Sequence, residues 1–206
     1  MNRKIIGFEN GPLEVDCADA VWMKDGKNLE VENPSHPCRC GKSKNKPFCD
    51  GSHVAAGFLS KSEISQEVLQ NYEGKEIEVH FNRSICAGEA ACIKGLPFVF
   101  KSGDGNNWIF PDEDESEKII KTIKSCPSGA LSFSVKKKKS IDSRTEPKIE
   151  IVKDGPYKIE GITLEGMSTP TNFSPSKYTL CRCGYSKNKP YCDYSHAQNN
   201  WCDEEC

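Results

Sequence analysis

Two stretches in the middle of the chain alternate polar and apolar residues. They are residues 76–81 (EIEVHF) and residues 130–135 (ALSFSV). Because successive side chains of a strand point to opposite faces, each stretch would bury one face and leave the other in water. The pattern therefore predicts two strands that share one apolar core.

A helical pattern lies just before the second of these strands. Its apolar face is marked by three isoleucines, Ile119, Ile120 and Ile123. Asp112, followed three residues later by Glu115, is typical of a capping box at a helix start. Pro127 would end the helix, since proline cannot continue one. The segment predicts a helix packed on the two strands.

The two ends of the chain carry a shared pattern of their own. A Gly-Pro pair, at positions 11–12 and again at 155–156, leads into a short alternating stretch that predicts a strand. Lysine-rich and polar residues after the second middle strand predict a solvated linker. The fold class expected is α+β, with small β-rich modules at 1–60 and 150–206, an α+β domain at 72–135 and a linker at 136–149.

Composition favours small modules over one large core. Only 36% of the 206 residues are hydrophobic, while twelve are cysteines. The N-terminus has no apolar signal core, and no apolar run is long enough to span a membrane. In a reducing cytoplasm, clustered cysteines are more often metal ligands than disulfides. A net charge of −2 argues against nucleic-acid binding. We expect a soluble cytoplasmic protein that binds neither membrane nor nucleic acid.

One cysteine and histidine motif occurs twice, once near each end. The N-terminal site comprises Cys38, Cys40, Cys49 and His53, and the C-terminal site comprises Cys181, Cys183, Cys192 and His196. Three thiols and one imidazole at fixed spacing form a metal-ligand set. A structural zinc site uses the same ligand types, but its cysteines are usually spaced Cys-x2-4-Cys, whereas a single residue separates the first two cysteines here. Asp50 and Asp193, each next to a ligand cysteine, are candidates for hydrogen bonds that support the ligands.

The residues between these ligands carry a family resemblance. Cys-x-Cys-x2-Ser-x3-Pro-x-Cys-Asp-Gly-Ser-His resembles the signature of the CDGSH iron–sulfur family, the mitoNEET-like or NEET proteins. The resemblance implies a [2Fe–2S] cluster held by three cysteines and one histidine in each copy. Tyr194 stands where the family has glycine, and it would be strained if that position needs a positive φ. Single-motif members are homodimers, so two motifs in one chain predict a pseudo-dimer with the middle domain inserted on one side.

A middle site is predicted from Cys86, Cys92 and Cys126. Cys-x5-Cys with a remote Cys-Pro is the bacterial ferredoxin arrangement with one ligand missing, and Glu89 occupies the missing position. Residues 72–135 resemble divergent single-cluster ferredoxins, which implies a ferredoxin-like fold around one cluster. Two possibilities stay open: a [3Fe–4S] cluster, or a [4Fe–4S] cluster whose fourth iron takes Glu89, water or an outside ligand. If Glu89 is not a ligand, the simplest interpretation is that it is a solvated carboxylate in a loop.

Electron transfer is the function expected from three clusters in a short chain. A histidine ligand carries one negative charge fewer than a thiolate, so the two terminal sites should have higher potentials than an all-cysteine site. The sequence has no catalytic triad, phosphate loop or dinucleotide-binding motif, and we expect no enzymatic activity. Partners would be a redox protein or, if the protein is instead a cluster carrier or a redox and iron sensor, an apo cluster acceptor. Cys17, Cys202 and Cys206 lie outside the three sites. The spacing of Cys202 and Cys206 is compatible with a metal site or a redox-active disulfide, but we expect these two to be free thiols on a flexible tail.

Overall fold

The computed structural model describes residues 2–103, 107–140 and 142–204, and it has an α+β fold. The described strands are β1 (Lys4–Gly7), β2 (Leu13–Asp16), β3 (Val21–Lys24), β4 (Lys27–Leu29), β5 (Leu69–Tyr72), β6 (Ile77–Asn82), β7 (Leu131–Val135), β8 (Lys138–Ser140), β9 (Lys148–Ile151), β10 (Tyr157–Glu160), β11 (Thr163–Glu165) and β12 (Lys177–Leu180). The helices are α1 (Ser52–Ala55), α2 (Ala91–Gly95), α3 (Ser116–Ser125) and α4 (Ser195–Gln198), with 3-10 turns at Arg83–Ile85 and Pro111–Glu113. None of these described helices has the length and apolar character needed to cross a bilayer.

The middle of the chain forms an antiparallel sheet in the order β5-β6-β7-β8. Both predicted strands are present as β6 and β7, and they pair with Ile77 opposite Val135 and Phe81 opposite Leu131. Helix α3 packs on this sheet through buried residues that include Ile119 and Ile123. The alternation therefore predicted both strands correctly, but β7 does not leave one face in water, since Ser132 and Ser134 are buried as well as Leu131 and Phe133.

The predicted capping box is wrong. Helix α3 begins at Ser116, and Glu115 precedes it without a capping side chain. Residues Pro111–Glu113 form a separate 3-10 turn. Asp112 instead accepts a hydrogen bond of 2.8 Å from the Lys75 backbone N–H, just before β6. The carboxylate serves a residue distant in sequence, so the local pattern could not identify its partner.

The predicted solvated linker begins with ordered structure. Lys136 and Lys137 have positive φ values of 49° and 64°, and they form the turn between β7 and the edge strand β8. Exposed lysines on an edge strand discourage further strand pairing, which accounts for the polar sequence. Farther on, Asp142 forms an ion pair of 2.6 Å with the buried Lys177. The polar residues at 136–140, together with Asp142, therefore belong to the folded body.

The two ends of the chain share two sheets. The first has the order β11-β1-β2 and the second β12-β10-β9-β3-β4, so each sheet contains strands from both the N-terminal and the C-terminal part of the chain. The joining pairs are parallel, with Ile5 beside Leu164 in one sheet and Trp22 beside Ile149 in the other. The terminal segments consequently fold together as one body with a continuous apolar core.

The two motif loops meet at equivalent glycines. A Cβ atom added to Gly41 would overlap the Cys183 carbonyl, and one added to Gly184 would overlap the Cys40 carbonyl. This reciprocal contact needs residues without a side chain. The buried Tyr157 hydroxyl also lies 2.9 Å from the Cys38 carbonyl and 2.8 Å from the Pro47 carbonyl. The C-terminal segment thereby supports the loop that carries the N-terminal site.

Candidate metal centres

The N-terminal site brings its four predicted ligands together as two pairs. Cys38 Sγ and Cys40 Sγ are 3.5 Å apart, and Cys49 Sγ is 3.4 Å from Nδ1 of His53. An isolated bridge between Pro37 and Phe48 closes the loop that holds the first pair, and the short helix α1 presents His53. The folded loop thus gathers residues that the spacing of the motif predicted would lie together.

The C-terminal site repeats this geometry. Cys181 Sγ and Cys183 Sγ are 3.6 Å apart, and Cys192 Sγ is 3.4 Å from Nδ1 of His196. An isolated bridge between Leu180 and Tyr191 closes this loop, and helix α4 presents His196. The two sites are built in the same way from equivalent elements.

The pairing of the ligands suits two metal ions per site. Two sulfur ligands about 2.3 Å from one tetrahedral metal lie roughly 3.8 Å from each other, which is close to the separation within each pair. Within the part of the chain that the structure describes, no three His, Cys, Asp or Glu side chains converge as a single ion requires. The separations within the two cysteine pairs therefore match two sulfur ligands of one tetrahedral metal ion.

Hydrogen bonding favours the thiolate form of the first cysteine in each pair, whereas the contact with that first cysteine raises the pKa of the second, Cys40 or Cys183. Hydrogen bonding from the Cys40 thiol lowers the pKa of Cys38 to about 6, with burial opposing it and backbone N–H groups assisting. The corresponding bond from Cys183 lowers the pKa of Cys181 to about 7. Backbone N–H groups also point at the second cysteine of each pair, from Lys42 at 3.5 Å and from Tyr185 at 3.4 Å. Donors of this kind stabilise the thiolates that iron requires.

Asp50 and Asp193 shape the ligand loops. Asp50 accepts hydrogen bonds from the backbone N–H groups of Lys44 at 2.8 Å and Ser52 at 2.9 Å. Asp193 accepts the equivalent pair, from Lys187 at 2.9 Å and Ser195 at 3.1 Å. The hydrogen bonds described for these carboxylates run to the loop backbone, so they fix the position of the following histidine through the main chain.

Sequence analysis missed the role of the arginine between the first two cysteines. Arg39 Nε donates to the Gly11 carbonyl at 2.6 Å, and Arg182 Nε donates to the Gly155 carbonyl at 2.8 Å. Both guanidinium groups are buried. Each therefore ties its ligand loop to the Gly-Pro turn that precedes the adjoining strand. The repetition of Arg together with the repeated Gly-Pro turn was the available signal.

The middle site places its three predicted cysteines around one pocket. Cys86 follows the 3-10 turn Arg83–Ile85, Cys92 lies in α2, and Cys126 follows α3, and all three line the pocket together with Glu89. Burial, followed by the nearby Cys126, raises the pKa of Cys92 to about 12, and the same causes raise the pKa of Cys86. Thiols in such a setting ionise readily only beside positive charge, which a bound iron centre supplies.

Glu89 is not the solvated carboxylate that one interpretation of the sequence predicted. Its Oε2 atom forms an ion pair of 2.9 Å with Lys158 Nζ on β10, and the Glu89 side chain is 25% exposed. Its Oε1 atom is buried and has no hydrogen-bond partner among the described residues. One carboxylate oxygen in the wall of the middle pocket therefore has an unused acceptor position.

The remaining cysteines differ from one another. Cys17 is a buried free thiol whose Sγ lies 3.4 Å from an Asp19 carboxylate oxygen. Cys202 is bonded in a disulfide, so the prediction of a free thiol there is wrong. Cys206, for which the same prediction was made, lies outside the described residues.

Comparison with known families assigns the three segments of the chain. The model described as "Iron-binding zinc finger CDGSH type" matches residues 10–54 and 154–197. The model described as "Divergent 4Fe-4S mono-cluster" matches residues 72–136. Both families named by the sequence resemblance are therefore present, in the predicted order, and the segments support iron–sulfur binding.

Two curated relatives share part of the chain. Both carry the name "Uncharacterized protein YjdI", one from Escherichia coli strain K12 and one from Escherichia coli O157:H7. Each is 39% identical over 62 residues, which make up 30% of this chain and 80% of the relative. No solved structure matches the chain.

Proposed function

This chain belongs to the CDGSH-type iron-binding family, with a divergent 4Fe-4S mono-cluster segment between its two CDGSH segments, and from that membership we propose that it is a multi-cluster electron-transfer protein. The N-terminal site would hold one [2Fe–2S] cluster, and the C-terminal site a second. The middle site would hold a [3Fe–4S] or [4Fe–4S] cluster. The proposed ligands are Cys38, Cys40, Cys49, His53, Cys86, Cys92, Cys126, Cys181, Cys183, Cys192 and His196.

Iron–sulfur clusters, when bound, take up and release single electrons. The surrounding residues of this chain would set how readily that happens. One imidazole in place of a thiolate removes a negative charge from each terminal site. Backbone N–H groups directed at Cys40 and Cys183 compensate part of the negative charge of the remaining thiolates. Both effects favour the reduced state and so raise the potential. The middle site has three thiolates in an apolar pocket, which favours a lower potential.

Glu89 is the proposed fourth ligand of a four-iron cluster at the middle site. Three cysteines and one carboxylate line the same pocket. The buried Oε1 atom lacks a hydrogen-bond partner among the described residues, while the Lys158 ion pair orients the carboxylate through its other oxygen. A buried acceptor atom without a partner costs free energy, and coordination to iron would remove that cost. These observations favour the four-iron alternative over the three-iron one.

The electron-transfer proposal rests on one observation: the middle site and the C-terminal site lie close together. The Gly88 backbone, in the wall of the middle pocket, lies against the Tyr194 ring. That ring in turn stands edge-on to His196, with 5.7 Å between ring centroids. One aromatic ring thus separates the middle pocket from the C-terminal site. Redox centres at such close range exchange electrons, whereas independent structural metals need no such arrangement.

The test is a metal and redox inventory of anaerobically purified protein. Iron, sulfide and zinc would be measured together with visible absorption and EPR, before and after dithionite. We expect about seven or eight irons per chain with matching sulfide, and separate reduced signals from two-iron and larger clusters. About four irons would leave the middle site without a cluster. Zinc in a colourless protein would overturn the proposal.

A second candidate function, cluster carriage, is favoured by one observation. Cys49 at the N-terminal site is half-buried, whereas its equivalent Cys192 is only 3% exposed. A ligand that solvent and partners can reach suits a cluster that is handed over. The His53→Cys variant separates the two functions. A carrier would lose transfer to an apo acceptor while its cluster becomes harder to remove, whereas an electron-transfer protein would mainly lower its potential.

A further inference from the structure

The two CDGSH sites have the same ligands but unequal surroundings. In the second copy, the residues that flank the ligands are buried, with exposed fractions of 7% for Asn188, 7% for Lys189 and 2% for Tyr191. The equivalent residues of the first copy are exposed or half-buried, namely Asn45, Lys46 and Phe48. Since the two loops have the same local structure, the difference must come from what packs on them.

The middle domain and the segment that enters it cover the C-terminal site. The Glu63 backbone N–H donates to the Lys187 carbonyl at 2.7 Å. Asn188 Nδ2 donates to the Ser84 carbonyl at 2.8 Å, in the 3-10 turn before Cys86. Tyr191, by contrast, is covered from within its own module, where its hydroxyl donates to the Ser168 carbonyl at 2.8 Å. At the equivalent positions of the first copy, Asn45 is exposed and Phe48 is half-buried.

Tyr194 is the closest contact between the cover and the ligands. A Cβ atom on Gly88 would overlap the Tyr194 ring, so the ring lies directly on the middle domain, and it stands nearly perpendicular to the His196 ring. Tyr194 has a φ of 78°, close to the 87° of the equivalent Gly51. A side chain is unfavourable in this conformation, so the ring contact has to compensate for it. At Gly51, a Cβ atom would meet nothing within 4 Å.

The exposed surface of the N-terminal site continues from Gly51 along helix α1. Val54, which follows His53 in helix α1, is 77% exposed. Helix α1 has no buried residue, whereas helix α4 of the second copy buries Ser195. The surface beside His53 is therefore open, although His53 and His196 are themselves both half-buried.

We propose that the middle domain is a built-in cover for the C-terminal CDGSH site, closed by Tyr194, and that the N-terminal CDGSH site is the one through which the protein exchanges with its surroundings. This inference rests on the proposed function, because it takes both sites to hold clusters. It assigns different roles to two copies of one motif. The C-terminal cluster is retained beside the middle site, and the N-terminal cluster is the one that partners and solvent reach.

The experiment measures release of iron from the intact, fully loaded protein by EDTA at constant pH. Iron and sulfide content and dithionite reduction are recorded first. The middle cluster is followed separately by its EPR signal. For the two CDGSH clusters we expect two phases of absorbance loss, with the slow phase several-fold slower than the fast one. The His53→Cys variant should abolish the fast phase, and the His196→Cys variant should leave the fast phase unchanged.

A matched pair of substitutions at Tyr194 tests the cover itself. Tyr194→Gly removes the ring and the unfavourable conformation together, so it should fold well and speed the slow phase several-fold. Tyr194→Phe keeps the ring and should release iron as slowly as the unchanged protein. The inference would be overturned by any of three results. These are a single phase for both sites, a fast phase that comes from the C-terminal site, and equal rates of iron release from the two Tyr194 variants.

Failure of the inference and failure of the proposed function give different results. A protein with both two-iron clusters present and reducible, but with equal release rates, keeps its electron-transfer function and loses only the distinction between sites. A protein without sulfide, or without electron uptake, refutes the proposed function before any release experiment begins.

Discussion

Lys158 Nζ on β10 lies 2.9 Å from Glu89 Oε2 in the wall of the middle pocket. The neighbouring residue on the same strand, Tyr157, donates a hydrogen bond to the Cys38 carbonyl in the N-terminal site. Because adjacent side chains of a strand point to opposite faces, these two residues contact different sites from one short element. Strand β10 therefore joins the middle domain to the N-terminal loop.

The first prediction concerns Glu89. Replacing Glu89 by Ala removes the proposed oxygen ligand, so the middle site should convert to a three-iron cluster with the EPR signal of its oxidised form. Glu89→Cys should restore a four-iron cluster and lower its potential, because a thiolate is the stronger donor. EPR and iron content of the two variants provide the measurement. Glu78→Ala on β6, outside the pocket, is the control, and a three-iron signal already present in the unchanged protein would contradict the prediction.

The second prediction concerns Tyr157. Tyr157→Phe leaves the Cys38 and Pro47 carbonyls without their hydroxyl partner in a buried place, which should cost about 1–3 kcal/mol. We expect a lower melting temperature and faster loss of the N-terminal cluster. Tyr178→Phe removes a comparable buried bond, 2.9 Å to the Ile162 carbonyl. It should lower the melting temperature without selectively speeding loss at the N-terminal site. Identical cluster loss in both variants would argue against support of the loop by Tyr157.

The third prediction separates backbone strain from a steric clash. Gly41 and Gly26 have the same φ of 74°, but a Cβ atom at Gly41 would overlap the Cys183 carbonyl, whereas at Gly26 it would meet nothing within 4 Å. Gly26→Ala should cost only the strain of a positive φ, about 1–2 kcal/mol. Gly41→Ala should cost more, since the two motif loops must also move apart. Thermal melting of the two variants tests this, and equal melting temperatures would show that the loops tolerate the extra methyl group.

The fourth prediction concerns the reactivity of Cys17. Burial, followed by the hydrogen bond with Asp19, raises the pKa of the Cys17 thiol to about 11. A raised pKa keeps the thiol neutral below that value, so at pH 8 only about one molecule in a thousand would carry the reactive thiolate. Iodoacetamide labelling followed by mass spectrometry should show slow modification up to about pH 10 and a rise as the pH approaches 11. Denatured protein is the control, and equal labelling in the folded protein at pH 8 would refute the prediction.

The sequence by itself determined those features that depend on residues close together in the chain. Alternation of polar and apolar residues predicted β6 and β7, because the period of a strand is visible in a few residues. The spacing Cys-x-Cys and Cys-x3-His predicted the ligand pairs, since a two-residue or four-residue separation within one turn leaves little freedom. The Gly-Pro turns before β2 and β10 were predictable for the same reason.

Only the tertiary structure decided the features that join distant parts of the chain. Asp112 holds the Lys75 backbone instead of capping α3, and Glu89 pairs with Lys158, because each carboxylate meets the donor that folding brings to it. The unequal burial of the two CDGSH sites is of the same kind. Two almost identical motifs predict two equivalent sites, but the middle domain can pack on only one of them, and Tyr194 lies on the side it covers. The spacing of residues in the sequence determines which predicted ligands lie next to each other. Packing between distant segments determines which of them the solvent can reach.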